Sequence, residues 1–153
     1  MKTITVSNGD IQLNNGKLQF STGSDKLMQD LERWFKEPLG IGYTTPGFGS
    51  LLPGMVGQAQ TRNMTSSIES EILRLLQLYQ GQQIIALQNA QNAAQLSLWN
   101  KNEIIQQIVS IEVQPSSLNG TEILANVVLT TLANNPINLT ISANYNGVTI
   151  QNG

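Results

Sequence analysis

The chain has 153 residues, a net charge of −2, only 12% charged side chains, and neither Cys nor His. This excludes disulfide frameworks, thiolate and imidazole metal sites, and the Ser-His-Asp and Cys-His nucleophile arrangements. The eight Lys and Arg are scattered, against a phosphate-binding surface, and 16 Asn with 16 Gln supply the polarity that charge does not.

Contacts rather than chemistry are therefore expected. No cofactor or metal, no nucleic-acid partner and no membrane partner is expected. Met1 to Gly9 lacks a basic, apolar signal pattern. No stretch approaches the ~18 consecutive apolar residues of a membrane-spanning helix. An intracellular, soluble protein is the expectation. The Asn-x-Ser/Thr triplets at Asn63, Asn119 and Asn138 are read as chance matches in an Asn-rich chain.

Thr3 to Val6 alternates as a short strand, and Asn8-Gly9-Asp10 turns it. Asn15-Gly16 between alternating arms predicts a type I′ hairpin that pairs Leu13 with Leu18 and Ile11 with Phe20. Its apolar face needs a cover, and the next segment is expected to supply it. Ser24 is an expected N-cap for a helix from Asp25 to about Glu37, stopped by Pro38. Leu27, Met28, Leu31, Trp34 and Phe35 form its apolar stripe, and the Trp34-Phe35 pair reads as core.

Pro38 to Gly57 is rich in Gly and Pro but lacks the Lys-Ser/Thr of a phosphate loop. Its Tyr43, Phe48, Leu51 and Leu52 suit an ordered loop packed on the body or on a neighbour. Residues 62–100 read as a long helical region, with Ile68, Ile72, Leu75, Leu76 and Tyr79 on one face and Gly81 as a weak point. Leu75 to Asn100 carries no charge at all, which suggests burial against another chain.

Residues 108–150 read as antiparallel sheet. Ile108 to Val113 alternates, Ser116 to Gly120 turns, and Glu122 to Ala133 is β-branched-rich. Ile137 to Ala143 alternates strictly, and Asn146-Gly147 offers a last reversal before Val148 to Ile150. No charge follows Glu122. An uncharged strand there either sits mid-sheet or waits for a partner strand. The carboxylates are isolated or lie on helix surfaces, with no evident acid and base pair for glycoside cleavage.

The order of elements resembles a known family. A Gly9-Asp10 turn precedes a hairpin, Leu27-Met28-Gln29-Asp30-Leu31, the loop Gly47-Phe48-Gly49-Ser50-Leu51-Leu52, an Ile68-to-Leu78 helix and an acidic residue before paired strands. Across roughly Gly9 to Ala143 this resembles the baseplate wedge family of contractile tails. That family is often labelled "lysozyme-like" and is also called the sheath initiator. The resemblance implies a virion protein of the tail baseplate, in the host cytoplasm during assembly, with copies of itself in a six-fold ring. It also implies a non-enzymatic role as a structural component that joins the wedges to the first sheath ring. Its partners would be the sheath subunit, baseplate wedge proteins, and tail tube or hub proteins.

Sheath assembly would begin by strand addition at Ile137, Leu139, Thr140 and Ile141. Family members dock on the wedge core through Glu-Pro-Arg. Glu103 matches that motif, while Ile104 and Ile105 stand in place of Pro and Arg. Wedge docking is expected at Glu103, Ile104 and Ile105, with Leu87 and Ala94 on the uncharged helix. The expected whole is one α+β domain, 1–153: N-terminal hairpin, capped helix, Gly/Pro loop, long helix, C-terminal antiparallel sheet. The alternatives are a carboxylate hydrolase acting on glycans, and a free-standing glycan-binding module.

Overall fold

A computed structural model of the chain describes residues 1–7, 10–44, 46–57, 62–114 and 122–153, without the side chains of 62 and 63. The turns expected at Asn8-Gly9 and over 116–120 lie outside the described residues. The protein is α+β, with short N-terminal strand pairs, helices, and a four-stranded antiparallel C-terminal sheet.

The N-terminal segment is not one hairpin. It folds as three antiparallel two-residue ladders: β1 (Thr3–Ile4) with β6 (Phe20–Ser21), β2 (Val6–Ser7) with β3 (Asp10–Ile11), and β4 (Leu13–Asn14) with β5 (Lys17–Leu18). The ladders meet at a closed ring of backbone bonds. Thr5 N–H donates to Gln19 O at 2.8 Å, Gln19 N–H to Gln12 O at 3.1 Å, and Gln12 N–H to Thr5 O at 2.9 Å. The Asn15-Gly16 turn forms as expected, both residues having positive φ, and Leu13 pairs with Leu18. Ile11 instead pairs with Val6 and Phe20 with Ile4, because the strands part at the central ring.

Helix α1 (Gly23–Lys36) buries Leu27, Leu31, Trp34 and Phe35, the stripe its 3–4 spacing dictates. Its cap differs from the expectation. Thr22 occupies the cap position without a side-chain bond, and the Gly23 N–H donates instead to Glu103 Oε1 at 3.0 Å. A carboxylate distant in sequence thus satisfies a first-turn donor at the positive end of the helix.

The loop after α1 is fastened at its second half. Leu39 N–H donates to Ser50 O and Ser50 N–H to Glu37 O, at 3.0 and 2.7 Å. Gly49 (φ +112°) lies where a Cβ would meet the Glu37 and Pro38 carbonyl oxygens at 2.7 Å, so only glycine fits. Phe48 packs edge-on against Trp34 at 4.7 Å between ring centroids, while Ile41 and Tyr43 stay exposed. A short helix, α2 (Leu52–Met55), follows.

Helix α3 (Arg62–Asn89) runs unbroken through Gly81, and buries Ile68, Ile72, Leu75, Leu76 and Tyr79. The helical region breaks later than Gly81, at 90–92. There the Asn92 side chain accepts from Gln95 N–H at 2.8 Å and caps α4 (Ala93–Ser97). A 3₁₀ turn (Lys101–Glu103) leads into the sheet.

Strands β7 (Ile105–Gln114), β8 (Glu122–Thr131), β9 (Pro136–Asn144) and β10 (Gly147–Asn152) pair in the order β10-β9-β8-β7. The last turn uses Tyr145-Asn146, one residue earlier than expected, since Gly147 already pairs with Asn144. One sheet face carries Val127, Leu129, Ile137, Leu139 and Ile141 into the cluster formed by the stripes of α1 and α3. Each such burial contributes about 1.5–3 kcal/mol before entropy is subtracted. Tyr79 closes the cluster with its hydroxyl donating to Asp30 Oδ2 at 3.1 Å. Burial, then the neighbouring Asp30 charge, pushes its pKa far above the ordinary phenol value.

A raised folded-state pKa favours the neutral phenol, so its stabilisation is complete below about pH 10 and is lost as pH rises further. Tyr79→Phe is expected to cost about 1 kcal/mol at neutral pH and to flatten the alkaline fall in urea-unfolding stability. An unchanged alkaline slope would contradict this.

Candidate docking surface

The sheet edges decide where another strand can add. β9 is bonded on both sides, to β8 through Asn138↔Val128 and Thr140↔Asn126, and to β10 through Ile141↔Ile150. Ile137, Leu139 and Ile141 point into the core, and Thr140 Oγ1 donates to Asn126 Oδ1 at 3.3 Å. The strand-addition site expected at these four residues is therefore occupied within the chain. Of the two alternatives for an uncharged strand, β9 takes the mid-sheet one.

The outer strands are β10 and β7. Helix α1 lies against β10, and Glu32 Oε2 accepts from Ile150 N–H at 3.5 Å, so a helix and a charge guard that edge. β7 has no strand on its outer side among the described residues, packs against α3, and carries one charged residue, Glu112. Its first half is irregular. Gln106 and Val109 have no cross-strand partner, and the register shifts at each. Such bulges twist an edge away from further pairing. From Ser110 to Gln114 the register runs unbroken, against Val128 to Leu124. That segment is the regular part of the β7 edge.

The start of β7 is tied to α3 by amides. Gln80 Nε2 donates to the carbonyls of Ile105 and Gln106, at 3.1 and 2.9 Å. Gln83 donates to Glu103 O at 2.6 Å and accepts from Ile105 N–H at 3.0 Å. Part of the amide-rich run thus serves the interior of this chain. Past Gln83 the character changes: Ile84, Ile85, Leu96 and Leu98 are exposed, and α4 has no buried residue.

The residues expected at a wedge-docking surface separate into two groups. Leu87 is half-buried and Ala94 exposed, both on this uncharged extension. Glu103, Ile104 and Ile105 are only 1%, 4% and 2% exposed, so they are corrected to interior residues. The Glu103 carboxylate is consumed by Gly23 N–H and by the Met1 ammonium, each at 3.0 Å. The same ammonium donates to Leu98 O, which ties the chain start to the end of the helical extension.

The other buried carboxylate, Glu71, is also held internally. Oε1 accepts from Leu51 N–H at 2.8 Å and from Arg74 Nη2 at 2.7 Å, while Oε2 accepts from Arg74 Nε at 2.8 Å. Arg74 Nη2 further donates to Gly49 O at 3.1 Å, so this pair clamps the Gly/Pro loop to α3. The hydrogen bond to Glu71 raises the guanidinium pKa of Arg74. Lys26 pairs with Asp30 along α1. Among the described residues no three His, Cys, Asp or Glu side chains group as metal ligands, and no helix is long and apolar enough to cross a membrane.

The solvent-facing side of the sheet carries Asn126, Thr130, Asn138, Thr140, Ser142, Thr149 and Gln151, with no aromatic ring on which a sugar would stack. No family model, curated protein or solved structure matches the chain.

Proposed function

We propose that the chain is a non-catalytic structural adaptor that receives a strand from another protein along β7. The unbroken register of Ser110–Gln114 on an outer strand carries this reading. Main-chain bonds along such an edge supply adhesion, and alternating side chains fix register, with no chemistry required. The uncharged extension past Gln83, with exposed Ile84, Ile85 and Leu96, supports a second contact in which no charge needs desolvation.

The order of elements supports placing this adaptor in a contractile-tail baseplate. There the added strand comes from the sheath subunit, and the extension meets wedge, tube or hub proteins. Repetition around a ring of copies makes modest contacts persistent through effective concentration.

Glu112→Pro, at an exposed residue inside the regular segment, removes one backbone donor and tests the edge, with amide NMR dispersion showing that the variant stays folded. It is expected to reduce recovery of sheath with purified tails at least about tenfold. Normal sheath on particles carrying this variant would contradict the reading, as would peptidoglycan clearing that a single carboxylate substitution abolishes.

A further inference from the structure

The N-terminal ladders gather a surface that β7 and the helical extension do not share. Ile4 faces Phe20, Val6 faces Ile11, and Leu13 faces Leu18, each pair next to the central ring. Alternation turns the intervening Thr5, Gln12 and Gln19 to the opposite side, so all six apolar side chains share one face. The expected cover from α1 does not form, and the six remain 36–61% exposed.

A groove of about 830 Å³ separates this face from α1. Ile4, Val6, Ile11 and Phe20 line one wall, interleaved with the polar Thr3, Thr5, Gln19 and Ser21, and Met28 adds to the apolar lining. Gln29 clamps the walls together, donating to Ile4 O at 2.8 Å and accepting from Val6 N–H at 3.1 Å. The volume is within the ~300–1,000 Å³ of formed binding clefts.

The opposite wall is net negative. Asp25, Asp30, Glu32 and Glu37 line the groove with only Arg33 and Lys36 against them. Lys26 pairs with Asp30, whereas Asp25, Glu32 and Glu37 make no ion pair among the described residues. Arg33 stacks over the Phe48 ring at 5.8 Å.

We infer that this groove docks a basic amphipathic helix of another protein, its apolar stripe on the ladder face and its Lys or Arg toward the α1 carboxylates. Two-residue ladders joined at a closed hydrogen-bonded ring offer no run of unpaired backbone, so an added strand finds little to bond, whereas a helix satisfies its own backbone. A second copy of this chain lacks the complement. Its exposed helical surface past Tyr79, through α4, contains no Lys or Arg. The carboxylates also repel an anionic bilayer.

The probe is a peptide of leucines and lysines in amphipathic helical register, titrated calorimetrically and by amide NMR against the full chain. Controls are the same pattern with glutamate for lysine, and phosphatidylcholine vesicles. The leucine-lysine peptide is expected to bind and to shift the amides of Ile4, Val6, Ile11, Phe20 and Gln29. Ile11→Asp, at an exposed position, should weaken binding at least about tenfold. Asp25→Asn with Glu37→Gln, on exposed positions at the start of α1 and just past its end, should weaken it about threefold and reduce its salt dependence.

Absence of binding, equal binding of the glutamate peptide, or full binding by Ile11→Asp would overturn the inference. So would wild-type dimers that Ile11→Asp dissolves, or preferential binding to the vesicles. None of these outcomes depends on β7, which Glu112→Pro tests separately.

Discussion

Ile141→Lys is expected to unfold the C-terminal sheet rather than merely block a partner. Ile141 is fully buried, with Ala125 opposite it on β8 and Ile150 on β10. A lysine there places an ammonium group in the apolar cluster. The penalty exceeds about 4 kcal/mol, from the lost apolar burial and the desolvated charge together. Leu139→Lys should behave the same way, whereas Thr140→Lys, on the solvent-facing side, should be tolerated. Urea unfolding with amide NMR dispersion measures this. A folded Ile141→Lys chain of nearly wild-type stability would mean that β9 is not flanked on both sides.

Glu103→Ala carries the second-largest expected loss. Its carboxylate closes an otherwise unpaired donor at the start of α1 and holds the Met1 ammonium, while Gln83 bonds its carbonyl. Removing the carboxylate leaves the Gly23 N–H buried without an acceptor. The loss is about 2–3 kcal/mol, for a charge-assisted bond and an orphaned donor. It falls short of the cost of breaking a fully buried ion pair because Met1 is half exposed. Glu103→Gln retains an oxygen for Gly23 and should recover part of the loss. Equal stability of wild type and Glu103→Ala would contradict the long-range cap.

The elements legible in the sequence are those whose own periodicity names a buried face. The stripe from Leu27 to Phe35 and the alternation Ile137, Leu139, Ile141 depend only on neighbours within one element. The N-terminal unit escaped such reading because its Ile11 and Phe20 each belong to a different ladder. Alternation shows that two side chains share a face, and says nothing about which strand each meets. The β9 placement had a signal: turns at Asn134-Asn135 and near Asn146-Gly147 bring a strand back on each side.

The uncharged composition was ambiguous for a chemical reason. A glutamine amide suits a dry interface, and equally suits pairing with a backbone N–H and C=O inside the chain. Gln80 and Gln83 bond backbone groups inside the chain, and only position on the folded helix separates them from Gln88. Glu103 stands out only through the family resemblance, and its partner Gly23 could not be read from spacing, because 80 residues separate them.

The measurement that bears most directly on the adaptor reading is a cryo-electron microscopy map of the assembled tail at a resolution that traces β-strands. A fifth strand contributed by a sheath subunit, running alongside Ser110–Gln114 of each copy, is the predicted result. A map in which the β7 edge faces solvent in every copy, or from which the chain is missing altogether, would contradict it.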